Sequence, residues 1–210
     1  VQLANTVELG ALYLACLKLG IVVSPAPVQY RENELAFIAD KTDAVAAITA
    51  TQIRKHDHAA MMVALKEKHP RLKTVFTVGD PAAEAVSLTE AMTKTGSAQI
   101  GAASDAAKAA AIDADDVFTV CWTSGTEAQP KGVPRSHNEW IIMGEAVIAA
   151  ALLTPGMRIL NPFPMVNMAG ISSSFVTWLL LGAVLVQHHP FDLQVFLRQL
   201  REEKIEYSVA

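Results

Sequence analysis

The chain has 210 residues, of which 51% are hydrophobic and 18% charged, so it has enough apolar surface for a sizeable core and is not disordered. Lysine and arginine total 17 against 21 acidic residues, and the net charge of −4 excludes a broad basic field for nucleic acid or an anionic membrane. Cys16 and Cys121 each lie in an apolar stretch, which predicts buried free thiols rather than a disulfide scaffold or a zinc site.

Helix and strand patterns alternate from the beginning of the chain. Residues Asn5 to Glu8 resemble a capping box, which predicts the start of a helix that ends at Gly20. His56 and His58 lie in a charged stretch, and we expect both to be solvated. The other predicted elements of this half are helices over 32–41 and 58–68 and strands over 1–3, 21–24, 44–49 and 74–78.

Residues 79–116 differ from the rest of the chain, because they are rich in Ala, Ser, Thr, Gly and acidic residues and have weak periodicity. This composition predicts a long surface connection with one or two loose helical turns, at 88–93 and 105–111. We therefore divide the chain into a first α/β subdomain, residues 1–116, and a second α/β segment, residues 117–210.

The alternation resumes in the second segment, and Asp192 is a predicted N-cap. Because the strands are apolar on both faces and separated by helices, the sequence predicts an α/β fold with parallel sheets covered by helices. The apolar run 171–186 is shorter than the ~20 residues that span a bilayer, so we expect buried core and no membrane span. The predicted strands cover 117–122, 158–161, 183–187 and 205–209, and the helices 138–153, 169–181 and 192–203.

A polar loop, TSGTEAQPKGV, follows the strand predicted at 117–122. Ligands of open α/β sheets bind beyond the carboxyl ends of strands, which is where this loop lies. Its hydroxyls can donate hydrogen bonds, its glycine permits close backbone approach, and its lysine is a mobile charge suited to polyphosphate. These residues are Thr123, Ser124, Gly125, Thr126 and Lys131.

Two common nucleotide-binding fingerprints are absent. The pattern GxxxxGK(S/T) needs a second glycine five residues after Gly125, where Pro130 stands, and GxGxxG does not occur. By composition alone, the loop is therefore equally typical of an ordinary turn.

Together with Ser136 and His137, the loop resembles the phosphate-loop signature of the adenylate-forming superfamily, usually TSGTTGxPKG. The chain departs from that form at Glu127 and Ala128. The resemblance implies that Lys131 and Thr126 assist catalysis and that the loop binds the β- and γ-phosphates of ATP. Glu127 is left with three alternatives: it points away, it acts through a cation, or it pairs with Lys131 while the site is empty. The implied nucleotide-binding residues are Thr123, Ser124, Gly125, Thr126, Glu127 and Lys131.

The segment NPFPMVNMAG at 161–170 resembles the next motif of that superfamily, commonly Pro-Leu-Phe-His-x-x-Gly. The resemblance implies that Asn167, Met168 and Gly170 line the pocket for the carboxylic acid. Asn167 stands where His is frequent and Val166 where an aromatic residue is common, which indicates an altered pocket. The alternative for Asn167 is that it caps the helix predicted from residue 169.

The resemblance extends over the whole chain and implies a partial N-terminal domain of an acyl-CoA ligase, without its C-terminal domain. Such an enzyme uses ATP, Mg²⁺ and coenzyme A, acts on a small-molecule carboxylic acid and is cytoplasmic. The alternatives are a peptide-synthetase-type adenylation domain and a non-catalytic nucleotide-binding module. We expect no activity from this piece alone and leave homo-oligomer formation open. His188 and His189 have no third ligand nearby, so the sequence predicts no metal-binding residues.

Overall fold

The computed structural model describes residues 1–80, 84–123, 129–188 and 190–209. Its helices are α1 Val7–Leu19, α2 Glu32–Lys41, α3 His58–Lys68, α4 Leu88–Lys94, α5 Ser97–Ala109, α6 His137–Ala151, α7 Met168–Gly170, a π-helix Ile171–Val176, α8 Thr177–Leu181 and α9 Leu193–Glu202. Its strands are β1 Ala46–Ala50, β2 Gln52–Ile53, β3 His56–Asp57, β4 Thr74–Val78, β5 Val86–Ser87, β6 Val117–Thr123, β7 Lys131–Ser136, β8 Arg158–Asn161, β9 Val184–Gln187 and β10 Tyr207–Ser208.

Two sheets have only parallel pairings, in the orders β1–β4–β5 and β10–β8–β9. Helix α3 packs against β1 and β4, and α2 packs against α3. The π-helix packs against β8 and α6. The predicted α/β fold with parallel sheets covered by helices is confirmed for these two sheets.

Strands β6 and β7 form an antiparallel hairpin, and this corrects the sequence prediction, which left residues 131–136 in a loop. Residues 131–136 were not predicted as a strand because they include Gly132, Pro134 and charged residues, which are uncommon in strands. Pro134 pairs with Val120, whose N–H donates to Val23 O on the other side of β6 at 2.9 Å. The two residues are therefore a non-hydrogen-bonded pair, and the missing N–H of Pro134 costs no ladder hydrogen bond. An isolated parallel bridge between Val23 and Thr119 joins the other side of β6 to the N-terminal segment.

The connection at 79–116 is more regular than predicted. The helical turn predicted at 88–93 is confirmed as α4, Leu88–Lys94. The turn predicted at 105–111 is instead the end of the thirteen-residue helix α5, Ser97–Ala109. None of the residues of these two helices is buried. Because α5 buries no apolar stripe, its Ala-rich sequence lacks the periodicity on which a helix prediction depends. The division of the chain near residue 116 stays a prediction.

One continuous helix runs from Met168 to Leu181, as predicted, but its middle, Ile171–Val176, is π-helical. Hydroxyl groups compensate for the altered backbone bonding, since Ser172 donates to Met168 O at 2.9 Å and Ser173 donates to Ala169 O at 2.6 Å. Single-turn π segments are rare and often lie near functional sites. The sequence period of a helix does not reveal such a segment.

The N-cap of α1 is Thr6, whose side chain accepts from Leu9 N at 3.3 Å. The predicted capping box at Asn5–Glu8 is therefore wrong in its residues, although the helix begins where expected. Asn5 is buried and bonds elsewhere.

His58 is 1% exposed, so the prediction that it is solvated is wrong. Its Nδ1 lies 2.9 Å from Gln2 Oε1, a partner that is far away in the sequence. Cys16 and Cys121 are buried free thiols, as predicted, and burial raises the pKa of both. Across the described ranges, every helix is too short or too polar to cross a membrane.

Candidate phosphate-binding hairpin

The predicted phosphate loop joins the two strands of the β6–β7 hairpin. The register pairs Val117 with Ser136 at one end and Thr123 with Lys131 at the other. Thr123 and Lys131 therefore stand opposite each other where the loop begins and ends. The remaining predicted loop residues, Ser124, Gly125, Thr126 and Glu127, lie outside the described residues.

The mouth of this loop combines a hydroxyl group with a cation. Thr123 is half-buried at the end of β6, and Lys131 is exposed at the start of β7. Lys131 offers three N–H donors on a flexible stem, and the Thr123 hydroxyl can donate or accept. Pro130, which precedes Lys131, is buried and fixes its own φ as the chain enters β7. Both side chains are of the kind that binds phosphate oxygens.

Trp122 holds the base of the loop. Its indole N–H donates to Ser24 Oγ at 2.8 Å, and its ring lies edge-on to Phe37 with ring centroids 6.2 Å apart. The ring also covers Gly132, where an added Cβ would come within 3.0 Å of Trp122 and of Val120. Only glycine at position 132 lets the ring lie this close to β7. With an exposure of 7%, Trp122 is part of the core.

Helix α6 begins at the end of the hairpin opposite the loop. Ser136 is its N-cap and accepts from Glu139 N at 3.2 Å, while Ser136 N donates to Glu139 Oε2 at 2.8 Å. That backbone bond, with Arg135 nearby, holds the pKa of Glu139 below its usual range. His137 stacks on Phe118 with ring centroids 5.5 Å apart, so its imidazole packs against β6. Because β7 carries the chain away from the loop before α6 starts, the helix N-terminus does not face the loop, in contrast to a P-loop.

The second predicted segment follows β8 at the carboxyl edge of its sheet. Asn167 caps α7, since its side chain accepts from Gly170 N at 2.9 Å, and the capping alternative is thereby confirmed. Gly170 is buried, and an added Cβ would lie 2.3 Å from Pro164 O. Met168 is half-buried and packs against the central core. The pocket role of Asn167, Met168 and Gly170 stays a prediction.

Sequence reasoning missed three side chains that bind this segment: Asn5, Tyr13 and Asn161. Asn5 was assigned to a helix cap, and Tyr13 lies with Leu9 and Cys16 on the otherwise apolar buried face of α1. A tyrosine on an otherwise apolar helix face is the one sequence feature that indicates such a contact, because a buried tyrosine hydroxyl usually has a hydrogen-bond partner. It does not indicate which residue the partner is.

In the part of the chain that the structure describes, no group of three or more His, Cys, Asp or Glu side chains is placed to hold a metal ion. His188 is buried with both ring nitrogens engaged: Nε2 accepts from Asp192 N at 3.0 Å, and Nδ1 lies 2.7 Å from Gln199 Oε1. His188 is thus a structural residue, and His189 lies outside the described residues.

An apolar cleft of about 760 Å³ borders the hairpin on the side of the first sheet. Its wall includes Trp122, Pro130 and Gly132 together with aliphatic side chains of the first half of the chain. A wall of this composition suits an apolar group and not a polyphosphate.

The family model described as "AMP-binding enzyme" matches residues 1–210. The chain belongs to the AMP-binding enzyme family. The match spans both parallel sheets and the hairpin, and it includes the loop at 123–131.

Relatives of this AMP-binding chain include the medium-chain fatty-acid–CoA ligase of Escherichia coli (strain K12), which is 27% identical over 205 residues, 97% of this chain and 35% of that protein. The long-chain-fatty-acid–CoA ligase FadD15 of Mycobacterium tuberculosis is 27% identical over 166 residues, 78% of this chain and 26% of that protein. Among solved structures, the inhibitor-bound N-terminal domain of FACL13 from Mycobacterium tuberculosis has a TM-score of 0.78 at 22% identity and covers 100% of this chain and 48% of that one. The fold is therefore that of part of the N-terminal domain of adenylate-forming ligases. The chain spans 35% and 26% of the length of these two curated relatives.

Proposed function

We propose that this AMP-binding chain is the part of an acyl-CoA ligase that holds the phosphates of ATP while a carboxylic acid is activated. The observation that carries the proposal is the hairpin: Thr123 and Lys131 stand opposite each other at the mouth of a loop with the family's phosphate signature. The family match over residues 1–210 and the printed names of the relatives support the reaction class.

The proposed reaction has two steps. In the first, a carboxylate oxygen of the acid attacks the α-phosphorus of ATP, the bond between the α-phosphorus and its bridging oxygen breaks, and pyrophosphate leaves from an acyl-adenylate. In the second, the sulfur of coenzyme A attacks the acyl carbon, AMP leaves, and the thiol proton passes to solvent. Both steps need positioned reactants and stabilisation of the charge on a leaving group.

The hairpin would contribute to the first step. Negative charge grows on the departing pyrophosphate, and the Lys131 ammonium together with the hydroxyl of Thr123 would stabilise it. We assign the same contribution to Ser124, Gly125 and Thr126 from their places in the loop. Because α6 begins at the other end of the hairpin, its N-terminus would not add to this stabilisation, and the protein's share would come from the donors of the loop.

The segment after β8 would receive the acid, with Asn167, Met168 and Gly170 in its wall. The nucleotide would bring magnesium with it, which would offset part of the negative charge of the phosphates. Within the described ranges the carboxylates and histidines form no cluster for it, and we assign it no protein ligand. Glu127 keeps its proposed place beside the phosphates.

The test uses the complete protein that contains this chain, with ATP, Mg²⁺, coenzyme A and a panel of acids that includes octanoate, palmitate and benzoate. The expected products are AMP, pyrophosphate and an acyl-CoA, in equal amounts, with one acid class preferred. Formation of ADP, or no acid-dependent turnover with any panel member, would contradict the proposal.

The two alternatives give different results in the same experiment. A peptide-synthetase-type adenylation domain would catalyse acid-dependent ATP–pyrophosphate exchange without making acyl-CoA. A non-catalytic module would bind nucleotide, as measured by calorimetry, and show no exchange.

A further inference from the structure

Residues 163–165, which follow β8, are bonded through their backbone to a side chain from the beginning of the chain. Asn5 Nδ2 donates to Phe163 O at 2.7 Å, and Asn5 Oδ1 accepts from Met165 N at 2.7 Å. A single side-chain amide thus pairs with this segment as a neighbouring strand would.

Two more side chains complete the pairing. The Tyr13 hydroxyl donates to Met165 O at 2.7 Å, and Asn161 Oδ1 accepts from Phe163 N at 3.1 Å. All four backbone polar groups of Phe163 and Met165 are therefore bonded to side chains. Asn5, Tyr13 and Asn161 are 7%, 0% and 0% exposed, so water does not readily replace these bonds. Because an unpaired buried donor or acceptor is costly, one conformation of the segment is strongly favoured.

Asn161 is itself held on two sides. Ser174 Oγ in the π-helix donates to Asn161 Oδ1 at 2.9 Å, and Asn161 Nδ2 donates to Gln187 Oε1 of β9 at 3.0 Å. The π-helix is thus joined to the last residue of β8 by a fully buried hydrogen bond.

We infer that Asn5, Tyr13 and Asn161 are positioning residues for the carboxylic acid substrate. They hold residues 162–167 at the carboxyl edge of the second sheet, where a ligand of an α/β protein binds, in the conformation that receives the acid. The inference rests on the proposed function. According to this inference, binding of the acid depends on Asn5 and Tyr13, near the beginning of the chain, and binding of ATP does not.

The test compares Tyr13→Phe with a matched control in the complete protein. Tyr13→Phe removes only the hydroxyl and keeps the ring contacts with Phe118 and Phe175. Thr49→Val is the control, because Thr49 also donates from a buried hydroxyl to a backbone carbonyl, that of Gln2 at 3.0 Å in the first sheet. Pyrophosphate exchange measures two KM values for each variant, one for ATP and one for the acid. The acid is octanoate, or the panel acid that gives the fastest exchange.

Tyr13→Phe is expected to raise the KM for the acid about two- to tenfold, which is the size of one hydrogen bond's net contribution, and to leave the KM for ATP within about twofold. Thr49→Val should change neither KM value. An unchanged acid KM in Tyr13→Phe, or equal rises for acid and ATP, would overturn the inference while the proposed function stands. If the unsubstituted protein shows no acid-dependent exchange, the proposed function itself fails.

Should Tyr13→Phe not fold, Ser174→Ala gives a second test, since it removes the bond to Asn161 from the helix side. The same selective rise in acid KM is expected. An acid KM equal to that of the unsubstituted protein would again contradict the positioning role.

Discussion

Gly132 shows how one residue sets the geometry of the loop's base. Its lack of a side chain lets the Trp122 ring lie across β7, while the ring is fixed from its other side by Ser24 and Phe37. Sequence resemblance marked this glycine as part of a signature, but the physical reason appears only from the packing of Trp122.

Gly132→Ala is expected to destabilise the protein by about 1–3 kcal/mol, because a Cβ at 3.0 Å from two neighbours overpacks the site. It should also raise the KM for ATP, because the added Cβ would displace the backbone of β7 next to Lys131. Urea unfolding and pyrophosphate exchange measure the two effects. Gly101→Ala is the control: nothing lies within 4 Å of its added Cβ, so this variant should be up to ~1 kcal/mol more stable with an unchanged KM. Equal behaviour of the two variants would refute the packing argument.

His58 illustrates what neighbouring sequence does not reveal. Charged residues on both sides indicated exposure, whereas its partner, Gln2, lies 56 residues away. Gln2 Nε2 donates to two backbone carbonyls, so Oε1 must accept, and His58 carries its proton on Nδ1. Burial, with the charges of His56 and Arg31, lowers the pKa of His58 to about 4.

The protein should therefore lose stability as the pH falls from 6.5 towards about 4. In that window the unfolded chain binds a proton that folded His58 does not, and above the unfolded pKa the contribution is fully present. The loss is at most roughly 3 kcal/mol. His58→Gln removes the titrating group and should flatten the curve of unfolding free energy against pH, measured by urea denaturation. Parallel curves for the variant and the unsubstituted protein would show that His58 does not cause the dependence.

At the scale of elements, the sequence predicted the longer apolar strands and the helices of the layered sheets well, because burial imposes their period. The strands predicted at 1–3 and 21–24 are wrong in extent, since only isolated bridges form there, at Gln2 and Val23. β4, β8 and α3 have the predicted bounds, and Asp192 caps α9 as expected. The elements that were missed carry no such period: β7 contains Pro134, and α5 buries none of its residues. The sequence predicted a helix at 171–176 but not its π-helical bonding. That bonding is associated with serine hydroxyls bonded to the backbone, which leave no apolar pattern in the sequence.

The cap of α6 gives a prediction for an element. Ser136→Ala removes the bond to Glu139 N and is expected to cost about 1 kcal/mol, while Ser136→Thr, which keeps a hydroxyl, should cost less. Neither variant should alter the KM for ATP, because the helix begins at the end of the hairpin away from the loop. Urea unfolding and exchange kinetics provide the measurements. A selective rise in the KM for ATP would mean that the helix N-terminus takes part in phosphate binding.

At the scale of the whole molecule, sequence periodicity does not predict the contacts between residues far apart in the chain. The division near residue 116 is a prediction based on composition, yet Asn5 and Tyr13 bond to residues more than 150 positions away, and Val23 pairs with β6. Side-chain amides and hydroxyls that bond to backbone have no fixed spacing along the chain. For the site, the loop was therefore found from its motif, whereas the residues that hold the segment after β8 were found only from the structure.

The central claim, that the hairpin binds the phosphates of ATP for acid activation, is tested most directly by acid-dependent ATP–pyrophosphate exchange of Lys131→Ala in the complete protein. The control is Lys55→Ala, an exposed lysine in the turn of the β2–β3 hairpin. Loss of the Lys131 charge should lower the exchange rate about tenfold or more, with little change in unfolding free energy, while Lys55→Ala keeps the unsubstituted rate. An unchanged exchange rate in folded Lys131→Ala would contradict the claim.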